Sequence, residues 1–103
     1  MSRYTVSDRA ASDLAAIEDG FLERGGAQQN ADNLIQSFLD SFQNLADFPD
    51  IGTARDYLQE DELAVPYEGY IIVYTKRSAE HIDILHIVWG GVNLYDYFAS
   101  LEQ

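Results

Sequence analysis

Two stripes of apolar residues at helical spacing, close together in the first half of the chain, most tightly constrain its fold. The first stripe stops at Gly25-Gly26 and the second at Pro49, which cannot continue a helix. Ser7 or Asp8 is suited to cap the first helix. Because only a few residues separate the stripes, they predict an antiparallel helix hairpin. The stripes consist of Ala10, Leu14, Ile17 and Phe21, and of Ala31, Leu34, Ile35, Phe38, Leu39, Phe42 and Leu45.

Segments rich in β-branched and aromatic residues flank this hairpin and predict strands. Residues 3–7 form an opening strand, and Asn93 is suited to cap a short final helix over residues 94–101. The sequence therefore predicts an α+β fold in one domain over residues 1–103, with the helices on one face of a mainly antiparallel sheet. Three consecutive strands follow the hairpin at residues 61–67, 69–76 and 81–89, and the last two are apolar enough to lie centrally.

The charge of the chain limits its partners. Eighteen acidic residues and six basic residues give a net charge of −12. Such a field repels phosphates, so we expect protein partners and neither direct nucleic-acid binding nor membrane binding. The spread of acidic residues is also typical of a solvated surface or a salt-rich habitat. The absence of cysteine, of a signal peptide and of a membrane-length apolar run predicts a cytoplasmic protein.

The two histidines are the first candidates for catalysis or metal binding. His81 and His86 lie five residues apart on one predicted strand, so they are expected on opposite faces, where they could not share a metal. His81 beside Asp83 is expected to face solvent, and His86 to pack within an apolar strand. The acidic run Glu60–Glu62 is expected to form a solvated loop. We therefore predict no catalytic residue, no metal and no cofactor.

Three motifs occur in an order that resembles the ParE branch of the ParE/RelE toxin superfamily. They are Y-x-V-S-x-x-A-x-x-D-L-x-x-I at Tyr4 to Ile17, P-x-x-G at Pro49 to Gly52, and Y-x-I-x-Y at Tyr70 to Tyr74. The resemblance covers essentially the whole chain. It implies a bacterial toxin that a cognate antitoxin holds inactive, in the manner of type II toxin-antitoxin systems. RelE-like relatives cleave messenger RNA on the ribosome, whereas ParE-like relatives block DNA gyrase.

The chain departs from the superfamily at positions that are usually charged. Leu63 stands where an Arg is common, and Trp89-Gly90-Gly91-Val92-Asn93 stands in place of H-G-x-R-D. RNA cleavage requires proton transfer and stabilisation of charge on phosphate, so these departures argue against a nuclease. We expect a non-enzymatic toxin component that acts by protein binding. The alternatives are a ribosome-dependent endoribonuclease and a non-toxic binding relative.

The resemblance implies two partners, a ParD-like antitoxin in a hetero-oligomer with an even number of toxins, and DNA gyrase as target. Aromatic residues dominate interface hot spots, so they lead both candidate sets. For Tyr70, Tyr74 and Trp89 the alternative is packing in the core or on a sheet face. The antitoxin candidates are Arg55, Tyr57, Leu58, Tyr70, Tyr74, His86 and Trp89, and the target candidates are Asn93, Tyr95, Tyr97 and Phe98.

Overall fold

The computed structural model describes residues 2–101, which form four strands and three helices. These elements are β1 (Arg3–Val6), α1 (Asp8–Glu23), α2 (Gln28–Asp47), β2 (Glu62–Tyr67), β3 (Tyr70–Ser78), β4 (His81–Trp89) and α3 (Leu94–Leu101).

The four strands form one sheet in the order β1-β4-β3-β2. β1 pairs in parallel with β4, whereas the β2–β3 and β3–β4 pairs are antiparallel. The two most apolar strands therefore lie at the centre, as their composition predicts. The predicted α+β fold and its element order are confirmed.

The helix hairpin covers one face of the sheet and encloses the main core. Ser7 caps α1 by accepting a hydrogen bond from the Ala10 amide at 3.0 Å. Gly25 follows α1 with a φ of 89°, a conformation that glycine adopts without strain. None of the helices within residues 2–101 is long and apolar enough to cross a membrane. The largest fully buried side chains of this core are Tyr74, Phe38, Phe42, Leu45, Ile72, Ile82 and Ile84.

α3 packs on the opposite face of the sheet, where Phe98 joins Val73 and Val88 in a second, smaller core. Tyr57 and Leu58, from the connection between α2 and β2, close the side of this core. The sequence predicts all helices on one face, and for α3 that prediction is wrong. The central strands carry apolar side chains on both faces, so those on the second face must also be buried against another element.

A β-bulge in β4 places both histidines on the same face of the sheet. The register between β3 and β4 shifts at Leu85, which is the extra residue. His81 adjoins Ile82, whose side chain lies in the main core, so His81 faces the other side. His86 packs edge-on against Phe98 on that side. The prediction of opposite faces is wrong, because a bulge shifts the alternation of side chains by one residue.

The turn between β2 and β3 contains a strained residue that offers a stability test. Glu68 and Gly69 have φ values of 52° and 81°, which for Glu68 is an unfavourable left-handed conformation. Asn-Gly is the preferred pair for such a two-residue hairpin. We expect Glu68→Asn to raise the free energy of unfolding by about 0.5–1 kcal/mol in urea titrations. Ala79→Asn, in the turn between β3 and β4, is the control and should give no comparable gain.

Candidate functional site

Two of the sequence motifs meet inside the protein at Tyr74. Its phenol donates a hydrogen bond to the Pro49 carbonyl at 2.7 Å and accepts one from the Gly52 amide at 2.9 Å. The P-x-x-G segment is thereby fixed to the central strand of the Y-x-I-x-Y motif. Tyr74 is 0% exposed, so its side chain does not reach the surface and cannot contact a partner in this conformation. Its role here is to hold residues 49–52 in place.

Half of the other candidates form one aromatic cluster on the α3 face of the sheet. Tyr57 stacks on Phe98 with centroids 5.3 Å apart and meets Tyr95 edge-on at 5.3 Å. Tyr97 and His86 contact the same Phe98 ring at 5.1 Å and 5.6 Å. Residues proposed separately for the antitoxin and for the target are therefore direct neighbours. We refer to Tyr57, His86, Tyr95, Tyr97 and Phe98 as the aromatic cluster.

A strongly exposed apolar segment runs from the end of β4 into α3. Trp89 is 61% exposed and Tyr95 59% exposed, and Val92 between them is exposed as well. A Cβ on Gly91 would come within 2.4 Å of the Trp89 ring, so the six-membered part of the ring lies close to a backbone position without a side chain. Asn93 accepts a hydrogen bond from the Asp96 amide at 3.2 Å, which is the predicted cap of α3. Residues 89–95 are called the exposed segment below.

His86 lies beneath α3 beside Arg9 and Asp13 of α1. Arg9 contacts Asp13 at 3.4 Å and donates a hydrogen bond to the Tyr97 hydroxyl, which ties α1 to α3. Asp13 also accepts a hydrogen bond from the Ile87 amide at 3.0 Å, where β1 no longer pairs with β4. The buried Nδ1 of His86 finds no hydrogen-bond partner among residues 2–101. Sequence reasoning missed Arg9 and Asp13, since only the register of α1 against β4 brings them here.

The other histidine belongs to a separate cluster at the start of β4. His81 Nε2 lies 2.5 Å from the Thr5 hydroxyl and 3.8 Å from Asp83, which pairs with Arg77 at 2.9 Å. His81 is only 14% exposed, so the prediction that it faces solvent is wrong. The parallel pairing of β1 against β4 covers it. Within residues 2–101, no group of three or more His, Asp or Glu side chains could hold a metal ion.

The remaining antitoxin candidates lie in different surroundings. Arg55 is exposed, and Leu58 packs against the second core. Tyr70 packs edge-on against Phe38 at 5.7 Å, so it belongs to the helix-covered face and not to the aromatic cluster. Pairing partners in an antiparallel ladder share a face, and Tyr70 pairs with Trp89. Trp89 therefore shares the helix-covered side of the sheet with Tyr70, on the side opposite to the aromatic cluster.

The environment of His86 predicts a dependence of stability on pH. Burial lowers the pKa of His86, and the charge of Arg9 lowers it further against smaller opposing effects of Glu62 and Asp13. At low pH the unfolded chain then binds more protons than the folded chain. The free energy of unfolding therefore falls as the pH drops below about 6.5. We expect the wild type to lose more unfolding free energy than His86→Gln between pH 7 and pH 5. Equal losses in chemical denaturation would contradict this effect.

Comparisons with known proteins agree with the described fold. The sequence profile of a family described as "ParE toxin of type II toxin-antitoxin system, parDE" matches residues 4–90. A chain of the solved structure described as "Chromosomal ParDE TA system from P. aeruginosa" superposes with a TM-score of 0.71 at 21% identity, covering 86% of this chain and 96% of that one. At this identity the likeness concerns the fold alone. None of the curated proteins compared with the chain matches it.

Proposed function

The chain belongs to the ParE toxin family of type II toxin-antitoxin systems, and from that premise we propose that it acts by binding proteins and not by catalysis. In this proposal a ParD-like antitoxin neutralises the toxin, and the free toxin binds DNA gyrase. The observation that carries the proposal is the exposed segment, in which Trp89 is 61% exposed and Tyr95, a member of the aromatic cluster, is 59% exposed.

Several features support a binding role for this surface. Large aromatic side chains in solvent forgo the stabilisation of burial, and they are the residues that supply most affinity in interfaces. The Trp89 ring lies close to the Gly91 backbone, where any side chain would clash with it. Gly91 therefore leaves the space that this position of the ring requires.

The contacts within the aromatic cluster also suggest how neutralisation works. Tyr57, an antitoxin candidate, touches Tyr95 and Phe98, which are target candidates. An antitoxin that covered Tyr57 would cover Tyr95 as well, because the two rings are in contact. Antitoxin and target would then compete for one surface, and no conformational change would be needed to block the toxin.

The surroundings of His86 favour binding over RNA cleavage. A ribonuclease needs a proton-transfer group in reach of substrate and a cation for the developing phosphate charge. His86 is packed against Phe98 beneath α3, and Arg9 is engaged by Tyr97 and Asp13. His86 is therefore not presented to a phosphate, and Arg9, although its side chain is 43% exposed, is held by two neighbouring side chains.

Growth and biochemical assays of the free toxin test the proposed target. Expression without antitoxin should arrest chromosome replication and induce a DNA damage response, and purified toxin should inhibit gyrase supercoiling. Rapid translation arrest with cleaved messages would support the RelE-like alternative, and normal growth would support a non-toxic relative. Either result would overturn the gyrase proposal.

Binding to the cognate antitoxin tests the surface. We expect Trp89→Ala to weaken binding about tenfold or more, the usual effect of losing a hot spot. Phe48→Ala is the matched control, because Phe48 is also 61% exposed but ends α2, away from the exposed segment. An equal loss in both variants, measured by calorimetry, would remove the exposed segment from the proposed interface.

A further inference from the structure

A groove lies between α2 and the edge strand β2, on the side of the sheet opposite to α3. Its volume is about 390 Å³. Leu45, Val65 and Tyr67 give it an apolar floor, and Ile51 at its mouth is 50% exposed. Ser37, Ser41 and Asn44 of α2 add polar groups along one wall, together with the carboxylate of Asp40. None of these residues belongs to the aromatic cluster or the exposed segment.

The α2 wall of this groove carries negative charge without compensation from its own segment. No Lys or Arg occurs between Arg24 and Arg55. Asp40 of the wall and Asp47, which lies on α2 three residues beyond Asn44 and outside the groove lining, instead accept hydrogen bonds from Gln36 at 3.0 Å and Gln43 at 3.1 Å. Glutamine holds a carboxylate without neutralising it. Asp32 is held in the same way by Gln28 at 2.9 Å.

The position of the Asp47 carboxylate is unfavourable for the stability of α2. It lies in the last turn of α2, which has no basic residue, and the negative end of the helix dipole disfavours a carboxylate there. Asp40, Asn44 and Asp47 follow one another at four- and three-residue steps, so they line one side of the helix. A cation bound along this side would relieve both the dipole and the mutual repulsion of the carboxylates.

The backbone of β2 shows how an occupant would have to bind. The outward Ala64 amide and carbonyl pair with Thr53 at 2.9 Å, the Glu62 amide bonds to the Gln59 carbonyl, and Pro66 has no amide hydrogen. An added strand would find no free donor at these three positions. Recognition must therefore come from side chains, and the groove wall offers hydrogen-bond acceptors for them.

We propose that the α2–β2 groove binds a basic segment of a protein partner, in which an apolar side chain enters the groove and flanking Lys or Arg residues reach Asp40 and Asp47. The apolar floor supplies contact area, and the carboxylates select for positive charge. A second copy of this chain does not fit this requirement, because each copy carries a net charge of −12. The inference stands on the groove alone and does not depend on the function proposed above.

Amide chemical shifts of the isotopically labelled chain test the proposal with three synthetic peptides. The peptides share a central Leu pair and differ only in flanks of Lys, Gln or Glu. We expect the lysine peptide to cause saturable shifts at Asp40, Asn44, Ile51 and Tyr67, and the glutamate peptide to cause none there. Asp40→Asn combined with Asp47→Asn should weaken the lysine peptide about fivefold. The control combines Asp19→Asn with Asp96→Asn, which removes equal charge from α1 and α3, and should weaken it less than twofold.

Four results would overturn the proposal. The first is equal binding of the glutamate peptide, and the second is a set of shifts confined to residues outside the groove. The third is an equal loss of affinity in the control variant, which would indicate attraction to overall charge only. The fourth is a groove response to protein concentration alone or to indole at the same strength, which would assign the groove to a second copy or a small apolar molecule.

Discussion

Replacing Gly52 by alanine is expected to lower the free energy of unfolding by about 2–4 kcal/mol, through overpacking and loss of a buried hydrogen bond. A Cβ at this position would lie 2.5 Å from the Tyr74 hydroxyl oxygen. Tyr74 is fully buried in the central strand, so its ring has no space into which it can move. The loop of residues 49–52 must then detach, and its hydrogen bonds to the phenol are lost. Urea titration with tryptophan fluorescence measures the change.

A double-mutant cycle separates this mechanism from a general effect of alanine in a loop. Tyr74→Phe alone removes both hydrogen bonds and should cost about 1–3 kcal/mol. It also removes the atom that a Cβ at position 52 would strike first, so the two changes together should cost less than their sum. Tyr67→Phe, which loses one bond of 3.2 Å to Ser37, is the control and should cost less. Additive losses at positions 52 and 74 would show that the contact is not responsible.

The same phenol predicts a loss of stability in alkaline solution. Burial raises the pKa of Tyr74 above 10, against a smaller opposing effect of its bond from Gly52. The contribution of the Tyr74 phenol to the free energy of unfolding is then complete below about pH 10. It is lost as the pH rises, because this phenol ionises at a lower pH in the unfolded chain. Tyr74→Phe should lack this contribution and show a shallower decline above pH 10 than the wild type.

The sequence predicted the parts of the fold that depend on local periodicity. The apolar stripes of α1 and α2 predict helices because each stripe matches one buried face, and the nearly continuous apolar character of β3 and β4 predicts central strands. Ser7 and Asn93 cap α1 and α3 as predicted, since a cap depends only on neighbours within one turn.

Features that depend on pairing between distant segments could not be predicted. The bulge at Leu85 is a property of the register between β3 and β4, and it alone decides which way His86 points. The burial of Tyr74 depends on a loop more than twenty residues earlier in the chain. An aromatic residue in a motif is equally compatible with a core and an interface, which explains why Tyr74 and Trp89 were predicted alike and differ in the structure.

Some of the candidate binding residues could be predicted from the sequence, whereas the α2–β2 groove could not. The family resemblance, together with the preference of interfaces for aromatic residues, pointed to Tyr57, Tyr95, Tyr97 and Phe98, and the structure gathers them into one cluster. The α2–β2 groove left no motif, because its apolar residues come from three separated segments. The run without Lys or Arg between Arg24 and Arg55 was the one sequence signal that could have indicated it.

Association of the toxin with its antitoxin should slow about a hundredfold when ionic strength rises from low to high salt. The prediction follows from the proposed neutralisation and from the charge of −12, which attracts a basic toxin-binding segment. Exposed charges are screened beyond about 8 Å at physiological ionic strength, so added salt weakens long-range attraction. Apolar anchors hold the bound complex, and their contacts depend little on salt. Stopped-flow mixing should therefore show a falling association rate and a nearly constant dissociation rate.

Charge removal on α2 distinguishes local steering from the effect of net charge. Replacing Asp32, Asp40 and Asp47 together by asparagine leaves the Gln side chains in place and removes three charges from a segment with no basic residue. If α2 guides the approach, this variant should lose most of its salt dependence, whereas removing Asp8, Asp19 and Glu23 from α1 should reduce it less. An association rate that stays flat across the salt series would show instead that the acidic surface serves solubility or habitat. In that case attraction by the acidic surface could not account for fast capture of the toxin.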